Sequence, residues 1–204
     1  MKQIVYAVPN PLHFAPLADI SLPKSPATPK FTFVGRLAHD KGVDLLIRAT
    51  ASISRDTPKF EVLIIGDGPE MSALRELSKE LGTQDRVQFL GRKSASEIGE
   101  ILAASTALVY PSRWEDPAGY SPVEAAAQST FTIAARVGGV PETAGTFALY
   151  FEREDFTQLA NHMMESINNP YFSAERGRKA RETAFQTYET DNAVRTLLRH
   201  LGVF

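Results

Sequence analysis

At 204 residues, the chain has room for one domain and a small appendage. Its 43% hydrophobic residues suffice for a sizeable core, and a net charge of -2 leaves no global basic excess for nucleic acid. The absence of Cys excludes disulfides and thiol nucleophiles, while His13, His39, His162 and His200 lack the spacing of a metal site.

Six prolines (Pro9, Pro11, Pro16, Pro23, Pro26 and Pro29) fall within residues 1–30. Proline fixes φ and removes a backbone donor, so this stretch reads as an extended arm, the tail of a connection from something missing upstream. From residue 31 to 204 the texture alternates. Phe31–Gly35 is a short apolar strand, and Val43, Leu46, Ile47 and Thr50 form a helical face. Phe60–Gly66 is a stronger strand. A helix with Pro69 at its first position, Leu74, Leu77 and Leu81 inward, and Gly82 as its stop should follow. Arg86–Gly91 is the third strand, and Ser94 with Glu97 spells a capping box for a helix through Leu102. Thr106–Tyr110 is the fourth strand. Ser121 and Glu124 make a second capping-box pattern, with Pro122 at the first helical position, leading into Ala125–Ala127. Phe131–Ala135 and Phe147–Phe151 complete the strands, and helices over 155–168, 173–187 and 190–201 close the chain. Strands this apolar, separated by helices, predict an α/β, Rossmann-like doubly wound parallel sheet with extra C-terminal helices. In that architecture ligands bind beyond the C-terminal ends of the strands.

The loops at those ends carry the chemistry. After the first strand, Gly35 to Gly42 brings Arg36 and Lys41 beside a helix start, which suits a polyanion such as a diphosphate. Two solvated surface cations would give the same pattern. It is not a Walker A loop, since the glycine spacing and the Lys-Ser/Thr pair are missing. Gly66-Asp67-Gly68-Pro69-Glu70 reads as a turn, and Arg92 with Lys93 as a solvated pair or the rim of a base or phosphate site. The loop Pro111–Glu124 is richest, with the single Trp and the carboxylates Glu115, Asp116 and Glu124. Asp116 and Glu124 are eight residues apart, one on the loop and one in the first turn of the helix, where each can accept from sugar hydroxyls. Glu124 is equally explained as the cap of Ser121. Val137–Glu142 holds paired glycines that permit a turn hugging a ligand. His39 reads as solvent-exposed and His162 as helix packing.

In order, the chain spells Gly-Arg-Leu-x-x-x-Lys-Gly (35–42), Gly-Asp-Gly-Pro-Glu (66–70), Phe-Leu-Gly (89–91), Tyr-Pro-Ser-x-x-Glu-Asp-Pro-x-Gly (110–119), Glu-Ala-x-Ala (124–127) and Val-Gly-Gly-Val-Pro-Glu (137–142). This ordered set resembles the C-terminal, nucleotide-sugar-binding domain of retaining GT-B glycosyltransferases, glycosyltransferase family 4 (glycosyl transferases group 1). The resemblance implies one half of a GT-B fold and a nucleotide diphosphate sugar as donor. Arg36 and Lys41 would bind the diphosphate and stabilise its charge as the sugar leaves, with no metal and no cofactor. Asp116 would contact the transferred sugar, Glu124 the ribose, and Arg92 would lie by the base. Gly35 and the backbone amides of Ala118, Gly119 and Tyr120 would line the same site. Three departures stand out. The first carboxylate of the family's Glu-x7-Glu motif is here Asp116, with Glu115 adjacent as a substitute. Ser129 and Phe131 replace a usual Gly and Pro, and the N-terminal, acceptor-binding domain is not in the chain.

The resulting expectation is the donor-binding half of a retaining transferase acting on a saccharide, lipid or small-molecule acceptor, inactive alone. Its missing half would supply any peripheral membrane contact. The competing expectation is a stand-alone nucleotide-sugar-binding module without catalysis. An epimerase or phosphorylase fits the Asp-x7-Glu loop less well, and a nicotinamide enzyme lacks its G-x-G-x-x-G. No apolar run reaches the ~18 residues of a membrane span and no signal-peptide pattern opens the chain, so a soluble, cytoplasmic protein is expected.

Overall fold

A computed structural model describes residues 28–188, and the proline-rich arm and the 190–201 helix expected from sequence lie outside them. Six strands form one sheet: β1 (Lys30–Val34), β2 (Glu61–Ile65), β3 (Val87–Gly91), β4 (Ala107–Tyr110), β5 (Phe131–Ala135) and β6 (Ala148–Phe151). All pairings are parallel and the order is β3-β2-β1-β4-β5-β6. This is the doubly wound fold expected from the apolar runs. The interior strands β4 and β5 are buried along their whole length, as a sheet covered on both faces requires.

The helices are α1 (Val43–Ser52), α2 (Met71–Glu80), α3 (Ala95–Ala103), α4 (Ser121–Ala127), α5 (Val140–Ala144), α6 (Phe156–Asn168) and α7 (Pro170–Tyr188). Helix α1 packs against α2 and α6, and α4 packs against α3 and α7. Strand alternation sorts the core accordingly. Phe31, Phe33, Val62, Ile64 and Val109 join Leu46 and Ile47 in the main cluster. Leu108 instead joins Leu102 of α3 and Ala125 of α4, with Val34 against them.

Local signals explain most boundaries. Ser94 and Glu97 form the expected capping box, each side chain bonded to the other's backbone amide, at 3.3 and 2.9 Å. Gly82 follows α2 with φ of 65° and bonds back to Lys79, as a helix stop should. Three expectations need correction, and one short helix was not foreseen. Helix α2 starts at Met71, so Pro69 lies in the preceding turn; the Glu70 amide donates to the Leu37 carbonyl rather than opening the helix. The capping box at Ser121 does not form. Tyr120 is already helical (φ -69°, ψ -18°), which places Ser121 inside α4 and Pro122 second. Residues 140–144 after the paired glycines form a short helix. Helix α7 opens at Pro170, three residues earlier than the sequence suggests. His39 is exposed as expected, and His162 is half-buried on α6 with Nε2 3.0 Å from the Tyr150 carbonyl.

Candidate functional site

The sheet order reverses between β1 and β4. Ligands of doubly wound proteins bind outside the strand ends at such a switch point. The two loops that flank it here, residues 35–42 and 111–120, carry Arg36, Asp40 and Lys41 on one side and Arg113, Glu115 and Asp116 on the other.

The first loop leaves β1 at Gly35, whose amide donates to the Ile65 carbonyl. It passes through a single 3-10 turn at His39–Lys41 and enters α1 at Gly42. Gly42 needs its missing side chain: its φ is 67°, and a Cβ there would collide with the Pro111 carbonyl oxygen. Arg36 is 63% exposed, and its Nη2 donates to Asp40 Oδ1 at 3.2 Å. Lys41 Nζ lies 3.8 Å from Asp40 Oδ2, so one carboxylate joins the two cations. The Gly-Asp-Gly-Pro-Glu turn braces this loop from behind. Leu37 donates to the Asp67 carbonyl and accepts from the Glu70 amide. Arg92, after β3, is 84% exposed with Nε 3.6 Å from Asp67 Oδ2.

The second loop is organised by Asp116. Its Oδ1 accepts from the amides of Ala118 (3.1 Å) and Gly119 (2.8 Å), and its Oδ2 from the Tyr110 hydroxyl (2.9 Å). Two of the three amides expected to meet the donor thus bond to Asp116 instead, and three of its roughly four acceptor sites are filled. Burial alone would raise the Asp116 carboxyl pKa. The Gly119 and Ala118 amides, Tyr110 and the charge of Lys41 outweigh it and hold the group below the usual carboxylate range. Burial, reinforced by Asp116, pushes the Tyr110 phenol well above its ordinary value. Tyr120 lends its carbonyl to the amides of Val123 and Glu124.

Glu115 does different work. Its Oε2 accepts from the Gly138 amide at 2.6 Å and its Oε1 from Arg153 at 2.9 Å. The paired glycines are explained by the same contact. A Cβ on Gly138 or Gly139 would collide with the backbone of residues 115–117, so the turn after β5 is packed on this loop. Glu124 stands in the first turn of α4, exposed, and among the described residues its carboxylate has no recorded partner.

The sequence reading missed Arg113. It is only 13% exposed, and all five of its N–H donors are used. Asp44 receives a bidentate pair at 2.6 and 2.9 Å, Glu154 another at 2.6 and 3.0 Å, and the His39 carbonyl a fifth bond at 2.9 Å. The residue thereby ties the second loop to the first loop, to α1 and to the turn before α6. Burial would raise the Asp44 carboxyl, but the Arg113 guanidinium holds it below its ordinary value. No group of three or more potential metal ligands occurs among the described residues. No helix there is long and apolar enough to cross a membrane.

Comparison with known proteins places the chain in a family. The family model described as "Glycosyl transferases group 1" matches residues 18–185. The chain is 30% identical over 174 residues to 2-deoxystreptamine glucosyltransferase of Streptomyces kanamyceticus, covering 84% of this chain and 45% of that protein. It is 32% identical over 136 residues to the gpi3 subunit of phosphatidylinositol N-acetylglucosaminyltransferase of Schizosaccharomyces pombe, covering 67% and 30%. The chain therefore spans less than half the length of these relatives. Among solved structures, Anabaena HepE in complex with UDP superposes with a TM-score of 0.77 at 23% identity, covering 87% of this chain and 49% of that one. That likeness shows the fold. The match across residues 18–185, together with these relatives, shows that the chain belongs to the glycosyl transferases group 1 family.

Proposed function

We propose that this chain is the C-terminal, donor-binding half of a retaining glycosyltransferase of family 4, working in the cytoplasm on a nucleotide diphosphate sugar. An N-terminal half would bind the acceptor and make any peripheral membrane contact. The observation that carries the reading is the placement of Arg36 and Lys41 at the switch point, with the Lys41 charge acting on Asp116 across it. HepE is described in complex with UDP; here UDP or a related nucleoside diphosphate would lie across the same strand ends.

In this reading the guanidinium of Arg36 and the ammonium of Lys41 face the diphosphate. Negative charge builds on it as the bond to the sugar breaks, and fixed cations lower the barrier electrostatically without a metal. Asp116 offers its remaining acceptor site to a hydroxyl of the transferred sugar. Its orientation is set by the Ala118 and Gly119 amides and Tyr110. Glu124, uncommitted on α4, accepts from the ribose hydroxyls, and Arg92 lies by the base. Acceptor choice belongs to the other half.

Ligand-observed NMR of the purified chain against UDP, GDP and ADP, their glucose conjugates and the free nucleosides tests this. Binding of at least one diphosphate, much weaker binding of its nucleoside and no sugar transfer are expected. A chain that binds none of the panel would remove the donor reading, and multiple-turnover transfer by the chain alone would remove the half-enzyme reading.

A further inference from the structure

Asp40 has no part in the donor reading, yet its carboxylate sits between the two cations assigned to the diphosphate. One oxygen accepts from Arg36 at 3.2 Å and the other lies 3.8 Å from Lys41 Nζ. Each oxygen thus engages a cation that the donor reading gives to a phosphate oxygen. The backbone of Asp40 is fixed, because its carbonyl accepts from the amides of Arg113 (2.8 Å) and Trp114 (3.2 Å) and from the Ser112 hydroxyl (3.3 Å). Its side chain is one-third exposed and is held by these two cations, with its charge also reaching the Tyr110 phenol, so it can swing to solvent while the loop stays put.

We propose that Asp40 is an internal counter-ion of the diphosphate site, displaced when donor binds and returning as nucleoside diphosphate departs. The proposal rests on the diphosphate reading of Arg36 and Lys41. With Asp40 ionised, the three side chains sum to one positive charge, and without it to two. A bare loop of charge two would hold the released nucleoside diphosphate more tightly than its sugar ester, because the product carries more negative charge on its terminal phosphate. A tethered carboxylate competes for the same cations at a fixed local concentration, independent of donor supply. It keeps the cations oriented when the site is empty and shortens the residence of product.

Asp40→Asn is the direct test, since the amide preserves size and the backbone bonds while removing the charge. Asp40→Ser, too short to reach either cation, is the second variant, and thermal melting verifies that both fold. Calorimetric titration uses whichever of UDP, GDP and ADP binds the wild type best, beside its nucleoside. Both variants should bind the diphosphate roughly three- to tenfold more tightly, the size expected when one charge at a few ångströms is removed in a solvent-exposed site. The nucleoside should be indifferent, and the affinity of the variants should fall more steeply with salt. Stopped-flow dissociation, followed through the single Trp114 whose amide bonds Asp40, should slow by a similar factor. Folded variants that bind the diphosphate equally or more weakly would overturn the proposal and leave Asp40 as a positioning residue. The two readings fail separately. Diphosphate affinity untouched by Arg36→Ala and Lys41→Ala would remove the reading beneath it, whereas affinity lowered by both but not raised by the Asp40 variants would remove only the counter-ion.

Discussion

Adjacent carboxylates on one loop have been given opposite duties. Glu115 spends its two oxygens on the Gly138 amide and Arg153, a clamp between the turns after β5 and β6. Asp116 accepts from Tyr110, Ala118 and Gly119, and the donor reading assigns its remaining acceptor site to the sugar. Glu115→Gln is therefore expected to cost about 1 kcal/mol of stability, the usual worth of a lost hydrogen bond, and to leave nucleotide affinity unchanged. Asp116→Asn should lower both melting temperature and the binding of nucleotide sugar relative to free nucleoside diphosphate. Melting curves paired with titrations of UDP and UDP-glucose check the ranking, and a Glu115 variant with the larger sugar defect would contradict it. At Glu124 the open choice between cap and ribose ligand is narrowed by geometry, since the helix has no capping box there. Glu124→Gln should melt like the wild type and lose about 1–2 kcal/mol of nucleotide affinity, because an amide offers one acceptor where a carboxylate offers two. Thermal melting and titration of the same sample separate the two effects.

Among the elements, most of what the sequence promised is present. Apolar runs such as Phe60–Gly66 became strands because a sheet buried on both faces leaves no polar alternative to them. The Ser94 box was legible because both partners lie within one turn. The Ser121 box was not, because Tyr120 had already entered the helix, and no local pattern announces that. Ser129 is more instructive. It occupies the place where the family pattern usually has Gly, just after α4, and its φ is 59°. The left-handed conformation costs a residue with a Cβ roughly 1–2 kcal/mol. Ser129→Gly should stabilise the protein by about 0.5–1 kcal/mol once the extra freedom of an unfolded glycine is subtracted. Chemical denaturation of the variant measures this directly, and an unaltered or lowered midpoint would show that the Ser hydroxyl offsets the strain.

For the whole molecule, the Arg113 network decides how the functional loops hold together. Its partners are 69 and 41 residues away, so no window of sequence could reveal it. The candidate site was legible as a set of loops, because their order along the chain is local information; the links between those loops were not. Replacing Arg113 with Met removes all five bonds and leaves Asp44 half-buried without its partner. A loss of about 2–4 kcal/mol is expected, near the cost of breaking a buried pair. The pH dependence has a definite sign. The folded-state pKa of Asp44 is lowered from an unfolded value of about 3.9, so its stabilisation is full above that value and disappears as pH falls through the folded pKa. The stability gap between wild type and Arg113→Met should therefore be widest above about pH 4 and narrow as pH falls through the folded pKa, as measured by chemical denaturation at a series of pH values between 6 and 2.

Whether Arg36 and Lys41 recognise a diphosphate is decided by calorimetric titration of wild type, Arg36→Ala and Lys41→Ala with a nucleoside diphosphate and with the matching nucleoside. Each substitution should weaken the diphosphate by about 1–3 kcal/mol, the range for hydrogen bonds to charged groups, and leave the nucleoside nearly unaffected. Equal losses for both ligands, or no loss for either, would contradict the account and make the loop a structural one.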